Sequence, residues 1–383
     1  MIYLDNAATA KPMGLIDRAV VAKNATSPSF FNPSSLYAKE ANAQLNKARS
    51  DIAELLGAQK DEIYFTSGAT ESNNIAIFGA SKNKTLKCVT SSGEHSAVYE
   101  PFVALKNKGF MVEFASLNSD TTVKADEFMK LASRECGFAS LIEVSNETGA
   151  INDIEAIFKK VKKTNPRVIL HSDGVQGFLK TGLNLTTSGI DLYSISGHKI
   201  GAQKGIGVLY IKRGLALTSL IFGAGQEKGI RSGTVNVEAA VSLAQSAKEF
   251  KRLYNKKQAK EQCVEFLIEL LGELNLLNIK SVVHSQNNSD FTPNILSMSV
   301  IGLKSEILQR VLADKDKIYI GLGSACAASK KTNRVLVAAG KTTQEIESNI
   351  RLSFGLDTTK QELQEAAKKI ALRASEIITG QIG

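Results

Sequence analysis

Apolar residues recur at helical spacing over positions 36–56, and Gly57 follows as a natural stop, so this stretch predicts a helix. Beyond it the pattern alternates. Positions 63–66 form a short β-branched and aromatic run, followed by a Ser/Gly/Thr turn and a helical stretch from Ser72 to about Ala80. The runs 88–90, 110–114, 139–144 and 168–171 read as buried strands separated by helical or mixed segments, and 192–196 and 207–212 add two more. Strands alternating with helices predict a mostly parallel sheet covered on both faces, the α/β class. The pattern changes near residue 237. One long helical run over 237–276 leads to shorter strands at 294–300 and 318–321 and to helices at 305–314, 343–350 and 360–379. This predicts a smaller α+β domain joined by a long helix, with the boundary near residue 255.

Composition narrows the class. The 383 residues suggest about two or three domains, and 43% hydrophobic with 22% charged residues is an ordinary globular balance. Four cysteines, at 88, 136, 263 and 326, contain no CxxC pair, which argues against a zinc site or a thioredoxin-like motif. Such sparse cysteine suits a reducing, cytoplasmic compartment. The first residues carry no basic leader or apolar core of a signal peptide, and no apolar run reaches the ~18 residues needed to span a bilayer, so no membrane partner is expected. The net charge of +9 comes from scattered lysines, with no Trp and few aromatics between them. That pattern reads as a solvated surface and not as a nucleic-acid platform.

Three segments carry candidate chemistry. Thr66-Ser67-Gly68-Ala69-Thr70-Glu71-Ser72 is a polar turn between a strand and a helix, able to hold a phosphate at the helix N-terminus or to act as a simple cap; it lacks the Walker A pattern. Asp173 sits just past an apolar strand, with Gln176 three residues on. A carboxylate there is either a helix cap or the partner of a cation such as a protonated ring nitrogen. Lys199, in Ser196-Gly197-His198-Lys199, ends another apolar strand. It is either a surface lysine or a desolvated one, nucleophilic enough to form a Schiff base. Taken together, a phosphate turn, then an Asp, then a Lys, in that chain order, is the set a pyridoxal 5'-phosphate (PLP) site needs. His95, after the 88–90 run, is either a structural histidine or, falling in the same layer, able to stack on the ring.

At this point the sequence resembles the cysteine desulfurases of the NifS/IscS type, in the class V aminotransferase family. The resemblance runs nearly end to end. It rests on Tyr3-Leu4-Asp5-Asn6-Ala7-Ala8-Thr9, Asn32-Pro33-Ser34-Ser35, the Thr66–Ser72 turn, Glu94-His95, Asn146-Glu147-Thr148-Gly149 and Ser196-Gly197-His198-Lys199. It continues in Gly225-Gln226-Glu227, Arg231-Ser232-Gly233-Thr234, Gly323-Ser324-Ala325-Cys326 and Arg351-Leu352-Ser353.

The resemblance implies a fold-type-I PLP enzyme, with a large domain over 14–255 built on a mostly parallel seven-stranded sheet. A smaller α+β domain, from 1–13 and 256–383, would carry the catalytic cysteine. It implies that Lys199 holds the cofactor and moves the Cα proton, Asp173 pairs with the pyridinium nitrogen, and Gln176 and Asn146 contact the ring hydroxyl side. His95 stacks over the ring and assists proton transfer, while Ala69, Thr70, Ser196 and His198 hold the phosphate. Thr234 reaches the phosphate of a neighbouring subunit, so a homodimer is implied. Arg351, with Asn146, binds the carboxylate of the substrate L-cysteine. Cys326 takes the sulfur as a persulfide, leaves alanine, and passes the sulfur to an acceptor such as an iron–sulfur scaffold. The small residues around Cys326 suit a mobile thiol, and Lys330 and Lys331 favour its thiolate.

The sequence departs from the family pattern at Phe31, where Gly is usual, at Leu322 for Ser, and at Leu356 for Arg. Ser172 and Gly174 also flank Asp173 where Val and Ala are common. Two other readings compete: a selenocysteine lyase or aminotransferase of the same fold, and a non-catalytic scaffold that kept the fold. Neither the acceptor nor the subgroup is legible in the sequence.

Overall fold

Among the described residues, twelve strands carry the architecture: β1 (Ile2–Leu4), β2 (Ile63–Thr66), β3 (Lys87–Ser91), β4 (Val112–Ala115), β5 (Cys136–Ser140) and β6 (Ile169–Asp173), then β7 (Leu192–Ser196), β8 (Gly207–Ile211), β9 (Ser281–Val283), β10 (Ile295–Val300), β11 (Ile318–Ile320) and β12 (Asn349–Ser353). They belong to a computed structural model that describes residues 1–13, 32–33, 38–286, 288–322 and 333–381. Seven of them form the central sheet, in the order β2-β8-β7-β6-β5-β3-β4. Only β8 runs antiparallel to its neighbours; the remaining pairs are parallel. β7 and β8 are buried at every position, as strands covered on both faces must be.

Two apolar clusters cover the two faces. One packs Leu45 and Ile52 of helix Lys39–Leu56 and Leu243 of helix Val237–Leu253 against Ile63, Val89 and Ile195. The other packs Ile75 and Ile77 of helix Ala69–Ala80 and Phe102 of helix Ser96–Asn107 against Cys88, Phe138 and Leu209. A third core joins Ile2 and Leu4 to Phe266, Met298, Ile350, Leu352 and Ile370, around the three-stranded sheet β12-β10-β9 and the parallel pair β1-β11.

Several expectations from the pattern need correction. The run 237–276 is two helices, Val237–Leu253 and Lys256–Leu276, because the Asn255 side chain accepts from the N–H groups of Lys257 and Gln258 and starts a new helix. The expected helix 343–350 ends at Glu347, and Asn349–Ser353 is β12. Its Ile350 and Leu352 alternate into the core while Arg351 lies opposite Ser297, a period of two that the helical reading missed. The strand expected at 139–144 is β5 at Cys136–Ser140; past it, the Ile142 N–H goes to the Glu94 carboxylate in place of a strand partner. The strand expected at 110–114 lies at Val112–Ala115, and helix Ala69–Ala80 begins three residues before the expected Ser72.

Candidate active site

The carboxyl ends of β2, β6 and β7 open into one cavity of about 720 Å³, as expected for an open α/β sheet. Asp173 ends β6, Ser196 ends β7, and the turn after β2 leads into helix Ala69–Ala80. Thr70, His95, Asn146, Asp173, Gln176, Ser196, His198, Lys199 and Arg351 all line this space, and so does Ala69. Thr234 is exposed and does not line it. Cys326, Lys330 and Lys331 lie outside the described residues, as do the departure at Phe31 and the matching motif residues Ser34 and Ser35.

Asp173 is buried and held by two donors. The Asn73 side-chain amide donates to Oδ2 at 2.8 Å, and the Val175 N–H donates to Oδ1 at 3.0 Å. Both donors stand in for water around a side chain buried at the end of β6. Lys199 lies in the short 3₁₀ turn Gly197–Ile200 that follows β7. Its ammonium donates to the carbonyl oxygens of Ala7 (2.6 Å) and Ala8 (2.7 Å). Burial, reinforced by the cationic Arg351 and Lys180, pushes its pKa down to about 8, so the free amine is accessible near neutral pH.

His95 is the N-cap of helix Ser96–Asn107, and its Nδ1 accepts from the Ala97 N–H at 3.1 Å. That bond leaves the proton of the neutral ring on Nε2, and burial lowers the ring's pKa. His198 Nδ1 lies 3.1 Å from the Thr9 hydroxyl, and burial pushes its pKa down to about 4. The N-terminal segment is thereby tied across the site: Ala10 N–H donates to the His198 carbonyl and Ala7 N–H to the Ser353 hydroxyl.

Arg351 projects from β12. Its Nη1 donates to the Asn146 carbonyl at 2.9 Å and its Nη2 to Asp5 Oδ1 at 2.8 Å, while Nε is buried with no partner. Gly321 makes this packing possible, since a Cβ there would stand 2.5 Å from Asp5 Oδ1 and 3.0 Å from Arg351 Nε. At the far end, the backbone of Gly207 crowds Gly68, where a Cβ on residue 207 would stand 2.6 Å from the Gly68 backbone. Helix Ala69–Ala80 thus begins at the cavity wall with its first N–H groups free of helical partners, an anion site by geometry and dipole.

Four contributors have no role in the sequence reading. Asn73, one turn into the helix, anchors Asp173; no local pattern marks it, because its partner is 100 residues away. Asp5 pairs with Arg351 across 346 residues. Glu94 is fully buried, accepts from Ser91 and Ile142, and is pushed up to about 8 by burial. The Arg334 guanidinium donates to the carbonyls of Ser92 and Glu94 and stacks 3.8 Å from the Tyr99 ring centroid, bracing the turn that carries His95.

The donor set fits PLP: a lysine amine, a buried carboxylate, an imidazole, a helix N-terminus for the phosphate, and an arginine in one space. Among the described residues no group of three or more acidic, His or Cys side chains could hold a metal, and no helix is long and apolar enough to cross a membrane.

Comparison with known proteins agrees with this geometry. The family model described as aminotransferase class V matches residues 2–365. A "NifS/IcsS protein homolog" of Lactobacillus delbrueckii subsp. bulgaricus is 36% identical, covering 95% of this chain and 95% of its own. A "Cysteine desulfurase IscS" of Mannheimia succiniciproducens is 34% identical, over 94% of this chain and 90% of its own. A solved structure titled "NIFS-like protein" superposes with a TM-score of 0.87 at 30% identity, covering 97% of this chain and 98% of its own.

Proposed function

The chain belongs to the class V aminotransferase family, and from that premise we propose that it is a PLP-dependent cysteine desulfurase, converting L-cysteine to L-alanine. The observation that carries the reading is the meeting of Lys199, Asp173 and Arg351 in one cavity, each from a different part of the chain. When bound, PLP supplies an electron sink for charge developing at the substrate Cα.

The residues of the chain would do the rest. Lys199 would hold the cofactor through its amine and serve as the base for the substrate Cα proton. Asp173 keeps the ring nitrogen protonated, with Asn73 and the Val175 N–H fixing the carboxylate. His95 covers the ring, and its Nε2–H is free to donate. The turn at Ala69–Thr70, with Ser196 and His198, takes the phosphate. Gln176 and Asn146 would contact the ring hydroxyl side. Arg351, its guanidinium held at the cavity by Asp5 and the Asn146 carbonyl, receives the substrate carboxylate. Cys326 then takes the substrate sulfur: the Cβ–S bond breaks, an S–S bond forms, and Cβ gains a proton. Sulfur is oxidised as Cβ is reduced, so no external oxidant is needed.

Residues 14–255 form the proposed cofactor-binding domain, and 1–13 with 256–383 the domain carrying Cys326 and Arg351. Thr234, exposed on its own subunit, is assigned to the phosphate of a second copy in a C2 homodimer. A sulfur-acceptor protein such as an iron–sulfur scaffold, in the cytoplasm, completes the proposal. The test is incubation with L-cysteine alone. Alanine and persulfide or sulfide formed without a keto-acid acceptor support a desulfurase. Mercaptopyruvate, with the amino acid of the added keto acid, formed only when a keto acid is present indicates an aminotransferase instead.

A further inference from the structure

Gly174 departs from the family pattern directly beside Asp173, and the structure shows what occupies the space. A Cβ at residue 174 would stand 1.8 Å from Cζ of Tyr193 and 2.1 Å from its hydroxyl. Only glycine at 174 admits this tyrosine, which is fully buried in β7. The Tyr193 hydroxyl donates to Glu143 Oε2 at 2.5 Å, and the Thr181 hydroxyl donates to Oε1. The Glu143 carboxyl in turn lies on Gly177, where a Cβ would meet it at 2.1 Å. Both ends of the turn that follows Asp173 therefore rest on one buried Tyr–Glu pair.

This pair is wired to the site on three sides. The Glu143 N–H donates to the Asp173 carbonyl at 3.1 Å, and the Gly174 N–H donates to the Ser194 carbonyl at 3.0 Å. The same turn presents Gln176, whose amide shares the Ala7 carbonyl with Lys199. Burial pushes the Glu143 carboxyl up to about 7, so the two hydroxyl donors are its main compensation in a site where Asp173 is a second acid and Lys180 the opposing charge. A buried group with this many satisfied contacts specifies a position.

We propose that Tyr193 and Glu143 are positioning residues for Asp173, a buried brace admitted by Gly174 and Gly177 that sets the Asp173–Gln176 turn in the cavity wall. The proposal rests on the assignment of Asp173 to the ring nitrogen. Three quantities test it: the PLP dissociation constant, the circular dichroism of the bound cofactor's visible band, which reports ring orientation, and the Tm. Tyr193→Phe and Glu143→Gln each remove part of the brace with little change of shape. Each should weaken PLP binding about fivefold to tenfold, the effect of one lost buried hydrogen bond, and reduce the visible dichroism. Gly174→Ala should lower Tm sharply; adding Tyr193→Leu should restore Tm but leave the cofactor defect of Tyr193→Phe.

If Tyr193→Phe fails to fold, Glu143→Gln carries the test. Wild-type PLP affinity and dichroism in both, while Asp173→Ala is altered, would overturn the brace. An Asp173→Ala variant with wild-type affinity and dichroism would instead overturn the assignment of Asp173 on which the proposal rests.

Discussion

Lys199 and Gln176 share one acceptor: the carbonyl oxygen of Ala7 takes the lysine ammonium at 2.6 Å and the glutamine amide at 2.9 Å. The N-terminal segment therefore fixes the reactive amine and the turn after Asp173 in one register.

That relationship makes Lys199 testable in two ways. Lys199→Ala should lose turnover and the visible absorption near ~400–430 nm expected of a lysine-bound PLP. The pKa of about 8 lies below the ordinary 10.5, so in this window the unfolded chain binds more protons than the folded one. The stability of cofactor-free protein should rise between pH 8 and 10.5 as the buried ammonium deprotonates. The gain is at most about 3 kcal/mol, the free energy of holding one proton across that pH interval. Denaturation curves should show this rise in the wild type and its absence in Lys199→Ala; equal slopes would contradict a desolvated amine.

Asn73 is expected to act through Asp173. Asp173→Ala should cut turnover by orders of magnitude, since the ring nitrogen loses its anion. Asn73→Ala leaves the carboxylate with one donor, and turnover should fall about tenfold, the effect of one lost charge-assisted hydrogen bond. A loss smaller than tenfold for Asp173→Ala would reduce Asp173 to a cap.

Arg351 depends on a neighbour that has no side chain. Gly321→Ala would drive a methyl into Asp5 and Arg351, and should raise KM for cysteine more than it lowers kcat. Arg351→Lys should raise KM at least tenfold, because an ammonium cannot form the paired contacts of a guanidinium. Steady-state kinetics on both variants would expose the error if kcat alone changed.

The cysteines should separate cleanly. Burial raises the thiol of Cys88, and pushes Cys136 and Cys263 up to about 12, so all three are poor nucleophiles at neutral pH. After incubation with cysteine, mass spectrometry should find the added sulfur on the Cys326 peptide. Cys326→Ala or Ser should bind PLP yet release almost no sulfide, whereas changes at the other three should leave turnover largely intact. Persulfide on Cys88, Cys136 or Cys263 would remove the proposed sulfur route.

Thr234 predicts the quaternary state. Light scattering should show a dimer, and Thr234→Ala should weaken PLP binding although Thr234 lies outside its own subunit's cavity. A fully active monomer at working concentration would rule out a shared site.

The chemistry-bearing residues of this chain sit at the ends of buried apolar strands, and such ends are legible in sequence. Asp173 after β6 and Lys199 after β7 are marked by hydrophobic runs that stop at a polar group, because a parallel sheet must bury both faces and release its loops at one edge. The alternation of strand and helix, the cover on both faces and the place of His95 follow from the same local rule. What only the tertiary structure decided lies between positions far apart in the chain. Asn73 meets Asp173, Asp5 meets Arg351, and Glu143 meets Tyr193 across 100, 346 and 50 residues, and no periodicity encodes such distances. The same holds for the residues just before Arg351, read as helix to position 350 until pairing with β10 made Asn349–Ser353 a strand. Hydrophobic spacing reports which face of an element is buried, whereas a hydrogen bond between side chains exists only once packing has brought their backbones together.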